Sequence, residues 1–321
     1  MQRELASRSM KCSKCLEKSI VFKRDSSTHL CESHFVDAFE ETVKHTIEDN
    51  NMIVEGDRIA VALSGGKDST ALIYVLNKIL SKRKNISVFA ITIDEGIKGY
   101  REDTIKSARN ISEKLGIDHI IVSFKERFGL DLDEMIEARR EAPCTFCGVF
   151  RKSLLNMTAK ELGATKVATG HDLDDEAQSI MMNYLKGDIE RLGRFAPRRL
   201  QPGLIPRVKP LKDIPERETA LYCMVHGFYL KMAECPYASL SFRSDVRDML
   251  NYLENNFPGT KKSTISGFSR ISNLLTDRYP AMRLSSCEQC KEPCVENSCK
   301  ACQLLGKIAS SRLTASPQFQ S

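Results

Sequence analysis

The chain is first defined by what it lacks. No run of about eighteen apolar residues occurs among its 321, so no helix is expected to span a bilayer and no membrane is expected as a partner. The amino terminus carries Arg3, Glu4 and Arg8 and has no apolar leader segment, so no secretory signal is read there. A cytoplasmic protein is the expectation. The net charge of +6 is too mild to argue by itself for nucleic acid. The length allows a sizeable core, as one main domain with appendages or as two domains.

Against that background twelve cysteines need explaining. Cytosolic thiols stay reduced, so disulfides are not their expected use. Cys12-x2-Cys15 and Cys31-x2-His34 form two pairs fifteen residues apart, and Cys287-x2-Cys290 and Cys299-x2-Cys302 form two more, eight residues apart. Four soft ligands in two close pairs suit a closed tetrahedral zinc site. Four protein ligands leave no open position, which makes each site structural. The amino-terminal segment is too short to bury a core, so the metal would supply its folding energy. Cys294 is the spare thiol of the second quartet, and Cys223 falls inside an apolar helical pattern as a core residue. Cys144 and Cys147 follow Pro143, with a helix expected to open near the second of them. A thiolate at a helix amino terminus beside Arg151 and Lys152 should have a lowered pKa. The pair reads either as a redox C-x2-C or as ligands of a metal or iron–sulfur centre. Cys235-Pro236 stands apart, 88 residues past Cys147.

A second absence concerns phosphate. The common nucleotide loop needs G-x-x-x-x-G-K-[ST], and that spacing is missing here. In its place the apolar run Ile59–Leu63 leads into Ser64-Gly65-Gly66-Lys67-Asp68-Ser69. A helical pattern follows at Ala71, Leu72, Val75, Leu76 and Ile79. Strand, glycine turn and helix together aim unpaired backbone N–H groups and the positive end of a helix dipole at one point, which suits a phosphate. Asp68 adds a carboxylate for a magnesium ion.

Apolar runs at 86–93, 120–122 and 166–169 alternate with helical patterns at 102–115 and 132–140. That order gives an α/β fold with a doubly wound parallel sheet. Ligands then sit beyond the carboxyl ends of the strands. Ile93 lies at one such end, as an adenine contact or a plain strand residue. Gly170 to Ala177 lies at another and holds four acidic residues within five positions. For Asp172, Asp174 and Glu176 the ordinary use is to stabilise a helix dipole. That helix should continue as core through Ile180, Met181, Tyr184 and Leu185.

Residues 191–212 contain seven basic side chains, no acidic one and four prolines. This reads as an extended strip for an RNA backbone, including Arg194, Arg198 and Arg199, with a solvated loop as the plain alternative. Further helices are expected at 215–226, 243–257 and through 268–275, a short strand at 228–230, and a disordered tail from Ile308. The boundaries that follow are an amino-terminal zinc ribbon at 1–36, a catalytic body at 37–283, a second ribbon at 284–306 and the tail at 307–321.

Taken together these motifs resemble the TtuA/TtcA family of tRNA 2-thiouridine synthetases, over nearly the whole chain. Ser64–Ser69 resembles the family's PP-loop, S-G-G-x-D-S. Two ribbons flanking it mark the TtuA-like branch. Cys144-Thr-Phe-Cys147-Gly148-Val149 and Gly187-Asp-Ile-Glu-Arg-Leu192 look most like the archaeal and eukaryotic members that thiolate the wobble uridine. The resemblance implies that Ala62, Leu63, Ser64, Gly65, Gly66, Asp68 and Ser69 hold ATP with Mg2+. Ile93 and Gly170 would line the adenosine, with Arg151 and Asp175 completing the site. Asp175 matches the family's catalytic aspartate. The family's catalytic lysine falls at Arg151, with Lys152 beside it. Arginine cannot shuttle a proton, so position 151 would neutralise phosphate charge instead. Cys144, Cys147 and Cys235 match three ligands of a 4Fe-4S cluster. The resemblance further implies two Zn2+, a tRNA substrate, a homodimer, and a sulfur donor such as sulfide or a ubiquitin-like carrier. Alternatives are thiolation of a T-loop uridine, persulfide chemistry without a cluster, another PP-loop synthetase, and a non-catalytic RNA-binding scaffold.

Overall fold

The apolar run after Asp57 becomes the central strand of the molecule, in a computed structural model that describes residues 10–24, 26–138, 142–193, 201–228, 234–238, 241–280 and 282–314. Strands β1 (Val21–Lys23) and β2 (Thr28–Leu30) form an antiparallel hairpin that leads into α1 (Glu32–Asp49). Phe35, Phe39, Val43 and Ile47 recur every four residues on α1 and are buried, the spacing of one helix face.

The α/β body follows as β3 (Arg58–Ala62), α2 (Lys67–Leu80), β4 (Ser87–Asp94), α3 (Arg101–Leu115) and β5 (His119–Ser123). Next come α4 (Phe124–Phe128), α5 (Leu132–Ala138), α6 (Pro143–Glu161), β6 (Lys166–Ala168), α7 (Leu173–Leu185), α8 (Ile189–Gly193), β7 (Arg207–Val208) and α9 (Glu216–Val225). The strands pair in the order β5-β4-β3-β6-β7, every pair parallel. The chain leaves β3 toward β4 and β5, then returns to β3's other side with β6. Strand order therefore reverses between β3 and β6, and the loops after these two strands open side by side. That switch point is where doubly wound sheets bind ligands.

One face of the sheet packs on α1, α2 and α9, with Phe39 stacked on Tyr222 at 4.0 Å between ring centroids. The other face packs on Phe146, Phe150 and Leu154 of α6. Two long helices, α10 (Phe242–Asn256) and α11 (Thr260–Arg278), lie against α7. The chain closes with the β8 (Ser285–Ser286) and β9 (Pro293–Cys294) hairpin and α12 (Lys300–Thr314).

Three expectations are corrected. The stretch from Ile308 is not a disordered tail as far as residue 314. Ala301, Leu304 and Ile308 form an apolar stripe at helical spacing, and Leu304 and Ile308 are each 1 % exposed in the same core as Phe150. Residues 315–321 lie outside the described residues. Tyr184 and Leu185 are not core but 64 % and 50 % exposed, because the buried stripe of α7 runs out of packing partners before its last turn. Helix α6 opens at Pro143 rather than near Cys147, since proline is pre-set for the first helical position. The strand expected at 228–230 and the end of the helix expected at 132–140 fall partly outside the described residues.

Candidate active site

The loop from β3 to α2 is built around one hydroxyl. Ser69 Oγ accepts from Ser64 N (3.1 Å), donates to Gly66 O (3.1 Å) and lies 3.0 Å from Ser64 Oγ. Gly65 has φ +84°, and a Cβ there would come within 1.8 Å of the Thr104 carbonyl, so only glycine fits. The first amides of α2 have no side-chain cap, which leaves them free for an anion. Gly170 closes the opposite wall, because a Cβ there would meet the Asp68 backbone at 2.9 Å. Ala62 is half-buried, whereas Leu63 and Ile93 are buried at the strand ends.

Acidic groups crowd this cradle. Asp68 Oδ2 accepts from Lys67 Nζ (3.0 Å), while Asp68 Oδ1 is buried without a partner. Burial pushes Asp68 up to about 6 against the pull of Lys67, and Asp175 and Glu216 add to the rise. Lys67 Nζ also meets Glu216 Oε1 at 2.7 Å. Asp172 caps α7 by accepting from Asp175 N (2.9 Å), and burial and then Asp175 raise its pKa. Asp175 Oδ1 accepts from Arg243 Nη1 (3.1 Å), and Arg243 also donates to Gln178 Oε1 (3.1 Å) and Ser179 Oγ (3.0 Å). Burial raises Asp175 against the pull of Arg243. An orphaned carboxylate oxygen among Asp68, Asp172 and Asp175 suits a divalent cation. Asp174 and Glu176 face elsewhere, to Lys261 and Lys209. His171 accepts or donates at Thr169 Oγ1 (2.9 Å), and burial and then Lys209 push it down to about 4.

From this cradle a polar path leads to the thiols. Arg101 donates to the Ser64 carbonyl (3.2 Å) and to the Ile93 carbonyl, and its Nε lies 2.8 Å from Glu95 Oε2. Glu95 Oε1 meets Arg151 Nε at 2.8 Å, and Arg151 Nη2 donates to Cys147 Sγ at 2.7 Å. Glu95 and Arg101 are 4 % and 5 % exposed, so this is a buried ion pair with a surface arginine docked on it. Cys144 is exposed, Cys147 and Cys235 are half-buried, and the latter two pack on the same core. The thiol of Cys147 was expected to be lowered at its helix terminus. Instead burial raises it, outweighing Arg151, and burial raises Cys235 as well. Lys152 does not join this path. It lines a groove on the adjacent face of α6.

The two quartets share a geometry that Cys144, Cys147 and Cys235 lack. Cys12, Cys15, Cys31 and His34 gather so that every ligand atom lies within 4.8 Å of the others, as do Cys287, Cys290, Cys299 and Cys302. Cys15 and Cys31 sulfurs stand 3.6 Å apart and Cys290 and Cys299 sulfurs 3.5 Å apart. A tetrahedral ion with metal–sulfur bonds of about 2.3 Å sets its sulfurs roughly 3.8 Å apart. Backbone N–H groups of Cys290 and Cys299 pull Cys287 down to about 6, the thiolate form a metal needs. Cys144, Cys147 and Cys235 do not close to this spacing. Cys223 is core, as expected, and its thiol also donates to Lys67 O (3.2 Å), with burial pushing it up to about 12.

Of the basic strip, Arg194, Arg198 and Arg199 lie outside the described residues. Lys209 and Lys212 pair with Glu176 and Asp213. Sequence reading missed Glu95 as a partner, Arg101 and Arg243. No local pattern marks them, since each acts on a residue brought close only by the sheet.

A glycine-built phosphate cradle at the switch point of a parallel sheet defines a nucleotide-handling PP-loop protein. A family profile described as a PP-loop domain matches residues 35–251. A tRNA 2-thiolation protein, NcsA, of Haloferax volcanii is 36 % identical over 93 % of this chain and 99 % of its own length. The cytoplasmic tRNA 2-thiolation protein 1 of Oryza sativa subsp. japonica is 35 % identical over 92 % of this chain and 82 % of its own. Among solved structures, the U34-tRNA thiolase NcsA from Methanococcus maripaludis with its [4Fe-4S] cluster superposes with a TM-score of 0.82. It is 36 % identical and covers 94 % of this chain and 97 % of its own. The chain belongs to the PP-loop family of tRNA 2-thiolation proteins.

Proposed function

We propose that this chain is an ATP-dependent tRNA sulfurtransferase that replaces O2 of a uridine, the wobble uridine 34, with sulfur. The observation that carries the reading is the continuous path from the Ser64 carbonyl through Arg101, Glu95 and Arg151 to the Cys147 thiol. That path supports a nucleotide cradle and a sulfur-handling thiol acting as parts of one site.

The carbonyl oxygen on C2 of uridine is a poor leaving group. In the first step it attacks the α-phosphorus of ATP, and the bond to pyrophosphate breaks. The α2 amides and Lys67 stabilise the departing charge. Asp68, with its orphaned buried oxygen, and Asp172 or Asp175 would hold Mg2+ on the same phosphates. Asp175 is fixed through one oxygen by Arg243, and its other oxygen is the one offered to the ion in this reading. In the second step a sulfur nucleophile attacks C2, and AMP leaves with the original oxygen. Cys144, Cys147 and Cys235 would hold a [4Fe-4S] cluster, whose chemistry when bound is to present that sulfur. Three half-buried or exposed thiols that are not gathered as a zinc quartet, two of them packed on one core, are the donor set such a group takes. Arg151 keeps a positive charge against Cys147, which offsets the charge of a ligating thiolate.

The quartets at 1–36 and 284–306 would each hold a structural Zn2+. A homodimer, a sulfide or ubiquitin-like donor and a cytoplasmic location complete the reading. The test is anaerobic. Purified protein, ATP, Mg2+, sodium sulfide and unmodified tRNA should yield 2-thiouridine at position 34 with release of AMP and pyrophosphate, read by nucleoside mass spectrometry. A colourless, iron-free protein that thiolates fully would remove the cluster. Absence of thiolated nucleoside from iron-loaded protein would overturn the whole reading.

A further inference from the structure

A groove of about 590 Å3 lies against α6 and takes in Lys152, the residue after Arg151. That volume is in the ~300–1,000 Å3 range of small-ligand pockets. Its walls come from three parts of the chain: α6, the segment leading into β7, and the carboxyl-terminal quartet. Lys152, Arg207 and Lys300 bring three cations to it, one from each wall. Leu204, Ile205, Pro206 and Pro293 supply an apolar floor.

Two features make this a built groove. First, one buried side chain ties the walls together. Asn156, 5 % exposed, donates to Glu292 Oε2 (2.7 Å) and Gly203 O (3.4 Å), and accepts from Ile205 N (2.9 Å). Glu292, the carboxylate lining the groove, is thus already engaged. Second, among the described residues the three cations make no ion pair, and they outnumber the one lining carboxylate, Glu292, whose bond to the neutral Asn156 leaves its charge in place. Among the described residues, Arg207 makes one contact, to the Lys152 carbonyl (3.1 Å), and no carboxylate meets Lys152, Arg207 or Lys300. Loss of solvent, then Arg207, lowers the Lys152 ammonium, and loss of solvent lowers Arg207. Cations held together without an acid partner are arranged for an anion that arrives from outside.

We infer that this groove seats a nucleotide of the RNA strand adjacent to the uridine being modified, with Lys152, Arg207 and Lys300 on its phosphates and the base on the apolar floor. The inference rests on the tRNA-thiolation reading. Its position follows from α6, where Lys152 stands about 100° round the helix from Arg151 and lines the groove, with Asn156 and Ser153 further round. A strand leaving the groove past Lys152 would pass Arg151 on its way to the thiols. The quartet wall would then contact substrate as well as support the core.

The test uses full-length Arg207→Gln/Lys300→Gln and the charge-keeping Arg207→Lys/Lys300→Arg, titrated with tRNA at several salt concentrations. The neutral variant should lose roughly tenfold in affinity, and its salt slope should shallow by about 0.7 per cation removed. The charge-keeping variant should recover most of both, which separates the electrostatic effect from misfolding. Binding of ATP confirms a folded body. Unchanged affinity and slope in the neutral variant, while the wild type thiolates normally, would overturn the groove alone. Failure of the wild type to thiolate would instead sink the parent reading. A neutral variant that binds tRNA and uses sulfide normally, yet fails with a protein thiocarboxylate donor, would overturn the RNA assignment and give the groove to that donor.

Discussion

The chain keeps its cysteines in two kinds of place. In the quartets the sulfurs stand about as close as one small ion can hold them, and eight ligands are used up with none left open. In the cleft the three thiols are not gathered in that way, one is exposed, and one is tied to the nucleotide cradle through Arg151 and Glu95. Closed geometry suits a site that must only persist. Open geometry suits one that must exchange a ligand. Both kinds come from the same residue type in the same C-x2-C spacing at Cys144, Cys287 and elsewhere, so the difference lies in what folds around each pair.

The comparison can be broken most directly at the thiols. Cys235→Ser should lower thiolation on the order of 100-fold, the scale of losing a cofactor ligand, with ATP affinity and thermal midpoint nearly unchanged. Cys290→Ser should do the reverse, releasing zinc and lowering the thermal midpoint by more than about 5 °C, as measured by metal analysis and calorimetry. If Cys235→Ser melts the protein while Cys290→Ser leaves the midpoint alone, the assignment of the two regions is inverted. A somewhat smaller effect is expected at the cradle. Gly65→Ala places a Cβ 1.8 Å from the Thr104 carbonyl, so ATP affinity should fall by at least about tenfold, the cost of an incompatible positive φ. Zinc content should stay at two, and titration calorimetry together with metal analysis reads both.

The link between the regions is tested at Glu95. Glu95→Gln leaves the buried Arg101 without its countercharge. Urea unfolding should show a loss of about 3 kcal/mol, with thiolation reduced and both quartets still metal-loaded. Normal thiolation at that reduced stability would show that Glu95 only holds the frame. The smallest effect is on pH. His171 is held near 4, below its value of 6.5 in an unfolded chain. The unfolded state therefore takes up a proton first, and stability is lost as pH falls from about 6.5 toward 4. The residue is exposed by its surface area, so solvent screens the shift and the effect is modest. Between pH 6.5 and 4.5 the thermal midpoint of His171→Gln should fall less than that of the wild type, by up to about 2 °C. Parallel curves would remove His171 from the acid limb.

How much of this could be read in the sequence depends on range. Ser64–Ser69 and the C-x2-C pairs are local patterns whose chemistry is fixed by a few neighbours, and they stand where their spacing puts them. The alternation of apolar runs gave the parallel sheet, and with it the meeting of Gly65 and Gly170 at one cleft. Arg101, Glu95 and Arg243 were illegible because a lone charged residue in a loop or on a helix does not name its partner. The thiol of Cys147 went the wrong way for the same reason. Its helix position and Arg151 were visible, but the burial that outweighs them comes from packing on Phe146, Phe150 and the strands beneath. Ile308 was mistaken for tail because its stripe has meaning only against α6.

That last contact has a wider meaning. Leu304, Ile308 and the buried sulfurs of the final quartet share one core with Phe146, Phe150 and Leu154 of α6, the core on which Cys147 packs, and Asn156 bolts α6 to Glu292 across the join. With an ion in that quartet, as proposed, the sulfur chemistry would depend on the supply of a metal that takes no part in it. A cell starved of that metal would lose thiolation first, while the nucleotide cradle went on binding ATP to no purpose.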